Sequence, residues 1–219
     1  MGHWITWRRG TFVGRFCLLV LAAAVWACGE DVPLPEPSGH VDLEVGDAPA
    51  RGPSDAPVAI VEFADFECPY CRAAAPVIRD LLAEFPEDLQ VAFRHFPASP
   101  SMHPNALPAA LAAECARRQG RFWEMADRLM ASALDDETLR RHAREIGDLD
   151  LDEWDRCRRS EEARSRVQAD LDLGRRFGVD VTPTFIVNGA VYRGLLSLPV
   201  FRRLVEDALA EAQANGSAP

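Results

Sequence analysis

Val58-Ala59-Ile60-Val61-Glu62-Phe63-Ala64-Asp65-Phe66-Glu67-Cys68-Pro69-Tyr70-Cys71 is the stretch that decides the fold. It opens on an apolar run rich in β-branched and aromatic side chains, the composition of a buried strand. A short polar break follows, then Cys-Pro-Tyr-Cys, then helical spacing through Phe85. Pro69 suits the first helical position, where a missing N–H costs nothing. Cys68 therefore falls at or just before a helix N-terminus, with Cys71 one turn further in. Free N–H groups and the positive helix end favour a thiolate at Cys68 and lower its pKa. Cys71 is near enough to close a disulfide with it. The expected result is a reversible dithiol/disulfide switch with one reactive, exposed sulfur.

Outward from this stretch, Leu89–Phe96 reads as the next strand, which makes a βαβ unit with parallel strands. Pro76 falls inside the intervening helix. From Asn105 to about Phe177 apolar residues recur at helical spacing, with breaks at Gly120, Asp135-Asp136, Gly147-Asp148 and Ser160. That pattern predicts four or five helices, a small helical subdomain inserted between the halves of a sheet. Thr184–Asn188 and Ala190–Arg193 read as strands joined by the hairpin turn Asn188-Gly189. A last helix is expected over Leu198–Ala214, with frayed residues after it. Upstream, Val41–Val45 alternates apolar and polar residues and predicts an edge strand. The fold class is therefore α/β.

The chain has 219 residues, enough for one domain with a real core. Its N-terminus is a targeting segment. Arg8, Arg9 and Arg15 precede a short apolar run, Phe16–Ala27, that is too short for a confident membrane span. The run ends in Val25-Trp26-Ala27-Cys28-Gly29, which resembles a bacterial lipobox, with Cys28 as the lipidated first residue of the mature chain. Plain signal cleavage near Ala27 is the alternative. Both place the mature protein outside the cytoplasm, in the periplasm or on the outer face of a membrane, where disulfides persist. Residues 1–28 are read as the signal, and 29–51 as a Pro-rich tether with its edge strand. All 24 basic residues are arginine. Without the first 28 residues the balance is 21 basic to 34 acidic, a formal charge of −13, which argues against general nucleic-acid binding. Of the six cysteines, Cys17 leaves with the signal and Cys28 is lipidated or cleaved, so four remain as two pairs.

Two motifs in the right order carry a family resemblance. They are Phe66-Glu67-Cys68-Pro69-Tyr70-Cys71 and Gly178-Val179-Asp180-Val181-Thr182-Pro183-Thr184-Phe185-Ile186-Val187-Asn188-Gly189. With the helical insertion, at about 103–177, the chain resembles the DsbA-like thiol-disulfide oxidoreductases of the thioredoxin superfamily. The resemblance covers roughly Gly52–Ala212, within a domain drawn at 52–214. It implies a thioredoxin-like fold with an inserted helical subdomain, and a Thr182-Pro183 cis peptide beside Cys68. It implies that the backbone before Pro183 pairs with an extended substrate chain. It further implies disulfide formation in exported proteins through Cys68 and Cys71, with no metal or organic cofactor and reoxidation by a quinone-linked membrane partner.

Some residues keep two readings. Glu62 stands six residues before Cys68, where thioredoxin-like proteins keep a buried carboxylate; it exchanges a proton with Cys71, or it faces solvent on an uncovered strand. Cys68 and Cys71 would need two more ligands to hold a structural zinc, and none is suitably spaced. Cys115 and Cys157 fit a structural disulfide tying the insertion together, with a second redox pair as the alternative. His103, next to Pro104, lines the active-site edge or serves a surface or capping role. Trp123 and Trp154 read as core of the insertion. Tyr70 stands where the best-known oxidases carry a histidine, which predicts a less oxidising pair. An isomerase or reductase of the same fold is the alternative function. Isomerases generally dimerise, and with no dimerisation segment the chain reads as a monomer. A tethered chaperone-like module is the alternative from a different class.

Overall fold

The computed structural model describes residues 1–2 and 32–216. Residues 3–31, which hold nearly all of the expected signal segment with Cys17 and Cys28, and the last three residues lie outside the described residues. Strands β1 (Ala50–Arg51), β2 (Val58–Ala64), β3 (Leu89–His95), β4 (Thr184–Val187) and β5 (Ala190–Arg193) form one sheet in the order β1-β3-β2-β4-β5. Strand β2 is central. It pairs parallel with β3 and antiparallel with β4, so Glu62 stands between Phe93 and Phe185. Helix α1 (Pro69–Glu84) makes the crossover from β2 to β3. The Asn188-Gly189 turn joins β4 to β5 with both φ values positive, 41° and 92°, which glycine tolerates without strain.

Period-two alternation sorts the sheet faces. Val58 and Ile60 of β2 pack with Phe185 beneath α1 and α7 (Leu198–Gly216), against Leu81, Phe201 and Val205. Val61 and Phe63 face the other way, with Ala92, Ile186 and Val191. Between β3 and β4 run five helices: α2 (Ala106–Arg117), α3 (Phe122–Ala131), α4 (Asp136–Glu145), α5 (Leu151–Arg158) and α6 (Glu161–Arg176). Three start on a side-chain cap. Asp135 accepts from the Thr138 N–H, Asp150 from Glu153 and Ser160 from Ala163; the periodicity breaks at the first and last of these caps, and at Gly147-Asp148, where φ is positive, ahead of the second. The insertion's core, with Met125, Leu129, Leu139 and Trp154, is continuous with Ala64, Phe66, Phe93, Cys68 and Cys71. The Cys68–Cys71 turn is thus packed against the insertion as well as against the sheet.

The upstream segment corrects one expectation. Val41–Val45 forms no strand. Its alternating Val41, Leu43 and Val45 pack on a sheet face beside Val61 and Ile186. Its backbone is bonded elsewhere: Val41 N–H donates to Gly189 O at 2.8 Å, and Val45 O accepts from Arg94 Nη2 at 2.8 Å. The edge strand is instead Ala50–Arg51, antiparallel to β3. It stops at Gly52, whose φ is 91° and where a Cβ would stand 2.0 Å from Leu89 O. The last helix runs to Gly216, two residues past the expected Ala214.

Candidate active site

Cys68 is the N-cap of α1, with extended φ/ψ of −68° and 122°, and Pro69 is the first helical residue. Its backbone N–H donates to Asp65 O at 3.1 Å, closing the turn out of β2. The Cys68 and Cys71 sulfurs are free thiols that hydrogen-bond to each other. Cys68 is less open than expected: the residue is only 4% exposed, because the Val181–Pro183 loop and the start of the insertion rise on either side of it. Its sulfur donates to Thr182 O at 3.3 Å. The Thr182-Pro183 peptide is cis.

The two sulfurs are electrostatically unlike. The Cys71 thiol, then the Thr182 side chain and the N–H groups of Cys71 and Tyr70, outweigh burial and hold the Cys68 pKa down at about 5. Burial pushes Cys71 far up, and the hydrogen bond with Cys68 and the charge of Glu62 push it further. The Asp65 N–H reaches the Cys71 sulfur at 3.5 Å. Glu62 is buried, not solvent-facing; its Oε1 has no hydrogen-bond partner. Desolvation raises its pKa to about 8, so it stays a neutral acid at pH 7. A cavity of ≈ 40 Å³ touches Glu62 below α1, between Ile78, Phe93 and Trp123.

Cys68 opens into a cavity of ≈ 890 Å³. Tyr70, Met102, Val181 and Leu195 line it and are 61%, 69%, 47% and 43% exposed, so one apolar rim surrounds the Cys68 sulfur. His103 lines the same cavity, and its Nδ1 meets Asp65 Oδ2 at 2.6 Å. Asp65 has no distinguishing sequence signal, since an acid at a strand end is ordinary turn chemistry. Nor has Glu67, which accepts from Asn105 N at 2.6 Å and Nδ2 at 2.9 Å and so clamps the insertion to the Cys68–Cys71 turn. Cys115 and Cys157 are joined by a disulfide between α2 and α5, away from the cavity. Trp154 is buried, its Nε1 donating to Ala112 O at 3.0 Å. Trp123 is partly buried, and its Nε1 donates to Ala50 O at 3.1 Å. Among the described residues no group of three or more His, Cys, Asp or Glu is placed to hold a metal ion.

A family model described as Thioredoxin matches residues 44–207. Among curated proteins, the Na(+)/H(+) antiporter NhaA 3 of Salinispora tropica is 40% identical over 181 residues, 80% of this chain but only 27% of that protein. The chain thus spans about a quarter of the length of this relative. A solved thioredoxin-like oxidoreductase from Silicibacter pomeroyi is 28% identical, with a TM-score of 0.67 over 74% of this chain and 92% of its own. The thiol-disulfide exchange protein alpha-DsbA2 of Wolbachia pipientis shares the fold at 22% identity, with a TM-score of 0.65 over 73% of this chain and 86% of its own. The chain therefore belongs to the thioredoxin family.

Proposed function

We propose that the protein oxidises thiols of exported proteins outside the cytoplasm, with Cys68–Cys71 as the oxidant. A substrate thiolate attacks Cys68, a mixed disulfide forms, and Cys71 leaves. Glu62, a neutral acid at pH 7, gives its proton to the departing Cys71 sulfur. A second substrate thiol then attacks the substrate sulfur and releases Cys68 as a thiolate. Pro69 and Tyr70 set the helix start, and the backbone of Val181–Thr182 before Pro183 offers its edge to an extended chain. The apolar rim of Tyr70, Met102, Val181 and Leu195 favours unfolded segments over folded surfaces.

The observation that carries this direction is the setting of Cys68, at the N-cap of α1 with its sulfur against Cys71 and Thr182, which holds its pKa down at about 5. A stabilised thiolate favours the reduced enzyme, which makes the disulfide a strong oxidant. The protein is anchored through a lipid on Cys28, works as a monomer, and is reoxidised by a quinone-linked membrane partner. The test is the equilibrium of Cys68–Cys71 with glutathione buffers, on protein lacking residues 1–28. With Tyr70 where the strongest oxidases carry a histidine, a potential somewhat below about −120 mV and well above about −270 mV is expected. A value near about −270 mV marks a reductant and reverses the assigned direction.

A further inference from the structure

The active-site cavity holds a titratable pair that the redox steps above leave unused. Asp65 begins the turn out of β2, with its side chain fully buried at 0% exposure. Its Oδ1 accepts the Glu67 N–H at 2.8 Å, and its Oδ2 accepts the Ala98 N–H at 2.9 Å. His103 Nδ1 completes the set at 2.6 Å from Oδ2. A carboxylate only accepts, so Nδ1 carries the proton and donates it. That fixes Nε2 as the basic nitrogen. Among the described residues Nε2 has no hydrogen-bond partner. The ring is 17% exposed and lines the cavity into which Cys68 opens. A buried carboxylate behind an imidazole holds its tautomer and steadies the imidazolium once it forms.

We infer that His103, oriented by Asp65, accepts the proton of the substrate thiol that attacks Cys68. The inference rests on the oxidase reading and concerns the same site. The substrate S–H proton passes to Nε2 while the substrate sulfur bonds to Cys68 Sγ. The Cys68–Cys71 bond breaks, its electron pair goes to Cys71, and Cys71 takes a proton from Glu62. Glu67 and Cys68 lie close enough to act on His103, and Tyr70, Asp180 and Arg193 share its cavity. Glu67 is held by Asn105, and Asp180 is paired with Arg193 at 3.5 Å, so Asp65 is the acid in direct contact with the ring. Burial alone pushes the His103 pKa down, but the hydrogen bond to Asp65 and the charges of Asp65, Cys68 and Glu67 raise it overall. The Cys68 contribution vanishes in the disulfide form, so the ring is less acid-locked in the state that receives substrate. His103 is then a catalytic residue and Asp65 its positioning residue.

The test is stopped-flow reduction of the oxidised full chain by excess reduced glutathione, compared with His103→Gln between pH 6 and 9.5. A free thiol with a pKa of about 8.5 needs a base only below that pH. His103→Gln is expected to be at least about tenfold slower at pH 7.5 and to converge with the parent above about pH 9, the signature of a lost general base. Equal rates at all pH values, or the same slowing at every pH, would overturn the assignment. If the parent protein itself resists reduction at every pH, the oxidase reading fails instead. Asp65→Asn, if it folds, is expected to give the same converging profile.

Discussion

At the scale of single residues, Glu62 is the least comfortable group in the protein. It sits in the central strand with an unpartnered carboxyl oxygen, and its pKa rises to about 8. An acid whose folded pKa lies above its unfolded value keeps a proton that the unfolded chain has lost. Stability is therefore full below about pH 4.5 and falls as pH rises toward 8, by about 1.4 kcal/mol per pH unit. Glu62→Gln removes that titration. Its unfolding free energy, measured in urea from pH 5 to 9, is expected to stay flat where that of the parent falls, and to exceed the parent's at pH 8. Release of Cys71 should slow about tenfold or more in the same variant, because the proton donor is gone. A parent protein whose stability does not fall over that range would place Glu62 in contact with water or a partner.

At the scale of elements, the insertion depends on its disulfide and its caps. The Cys115–Cys157 bridge spans 42 residues and connects α2 to α5. Closing a loop of that length removes unfolded-state entropy worth about 4 kcal/mol. The double change Cys115→Ala, Cys157→Ala is expected to lower the urea-unfolding free energy by about that amount. It should leave the Cys68–Cys71 potential unchanged, since the bridge does not line the active-site cavity. A shift of that potential would instead mark a second redox pair. The starts of α4 and α6 are legible because Asp135 and Ser160 are local signals, each satisfied three residues on, and the break before α5 because Gly147 and Asp148 turn the chain with positive φ. Val41–Val45 has the alternation of a strand without being one, because that alternation serves a packed face while its carbonyl at Val45 goes to a side chain.

At the scale of the whole molecule, a buried ion network joins parts that are far apart in sequence. Asp170 of α6 accepts from Arg94 Nη1 at 2.9 Å, from Arg166 Nη1 at 2.7 Å and from the His95 N–H at 3.1 Å. Arg94 also reaches Asp47 at 3.0 Å and Val45 O at 2.8 Å. Strand β3, the insertion's last helix and the upstream segment thus share one set of charges. Asp170→Ala would leave Arg94 buried without its partner, and thermal or urea unfolding is expected to show a loss of about 3–5 kcal/mol. A loss under about 1 kcal/mol would mean that water or Asp47 replaces the carboxylate. His95 follows the same neighbourhood: burial lowers its pKa against the pull of Asp170 and Glu114, so the ring stays neutral in the core.

The sequence by itself determined the strand, the Cys-Pro-Tyr-Cys turn at a helix start, the hairpin at Asn188-Gly189 and the helical block between the sheet halves. Each rests on local rules: β-branched runs, a proline where no N–H is needed, caps three residues from their partners, and a turn that glycine makes possible. Only the tertiary structure decided that Glu62 is buried, that Cys68 lies at the floor of a cavity, and that His103 is held by Asp65. Those facts come from groups 38 to 114 residues apart meeting in space, as Asp65 meets His103 and Cys68 meets Thr182. Burial and charge are set by what the fold brings near, and no spacing along the chain encodes them.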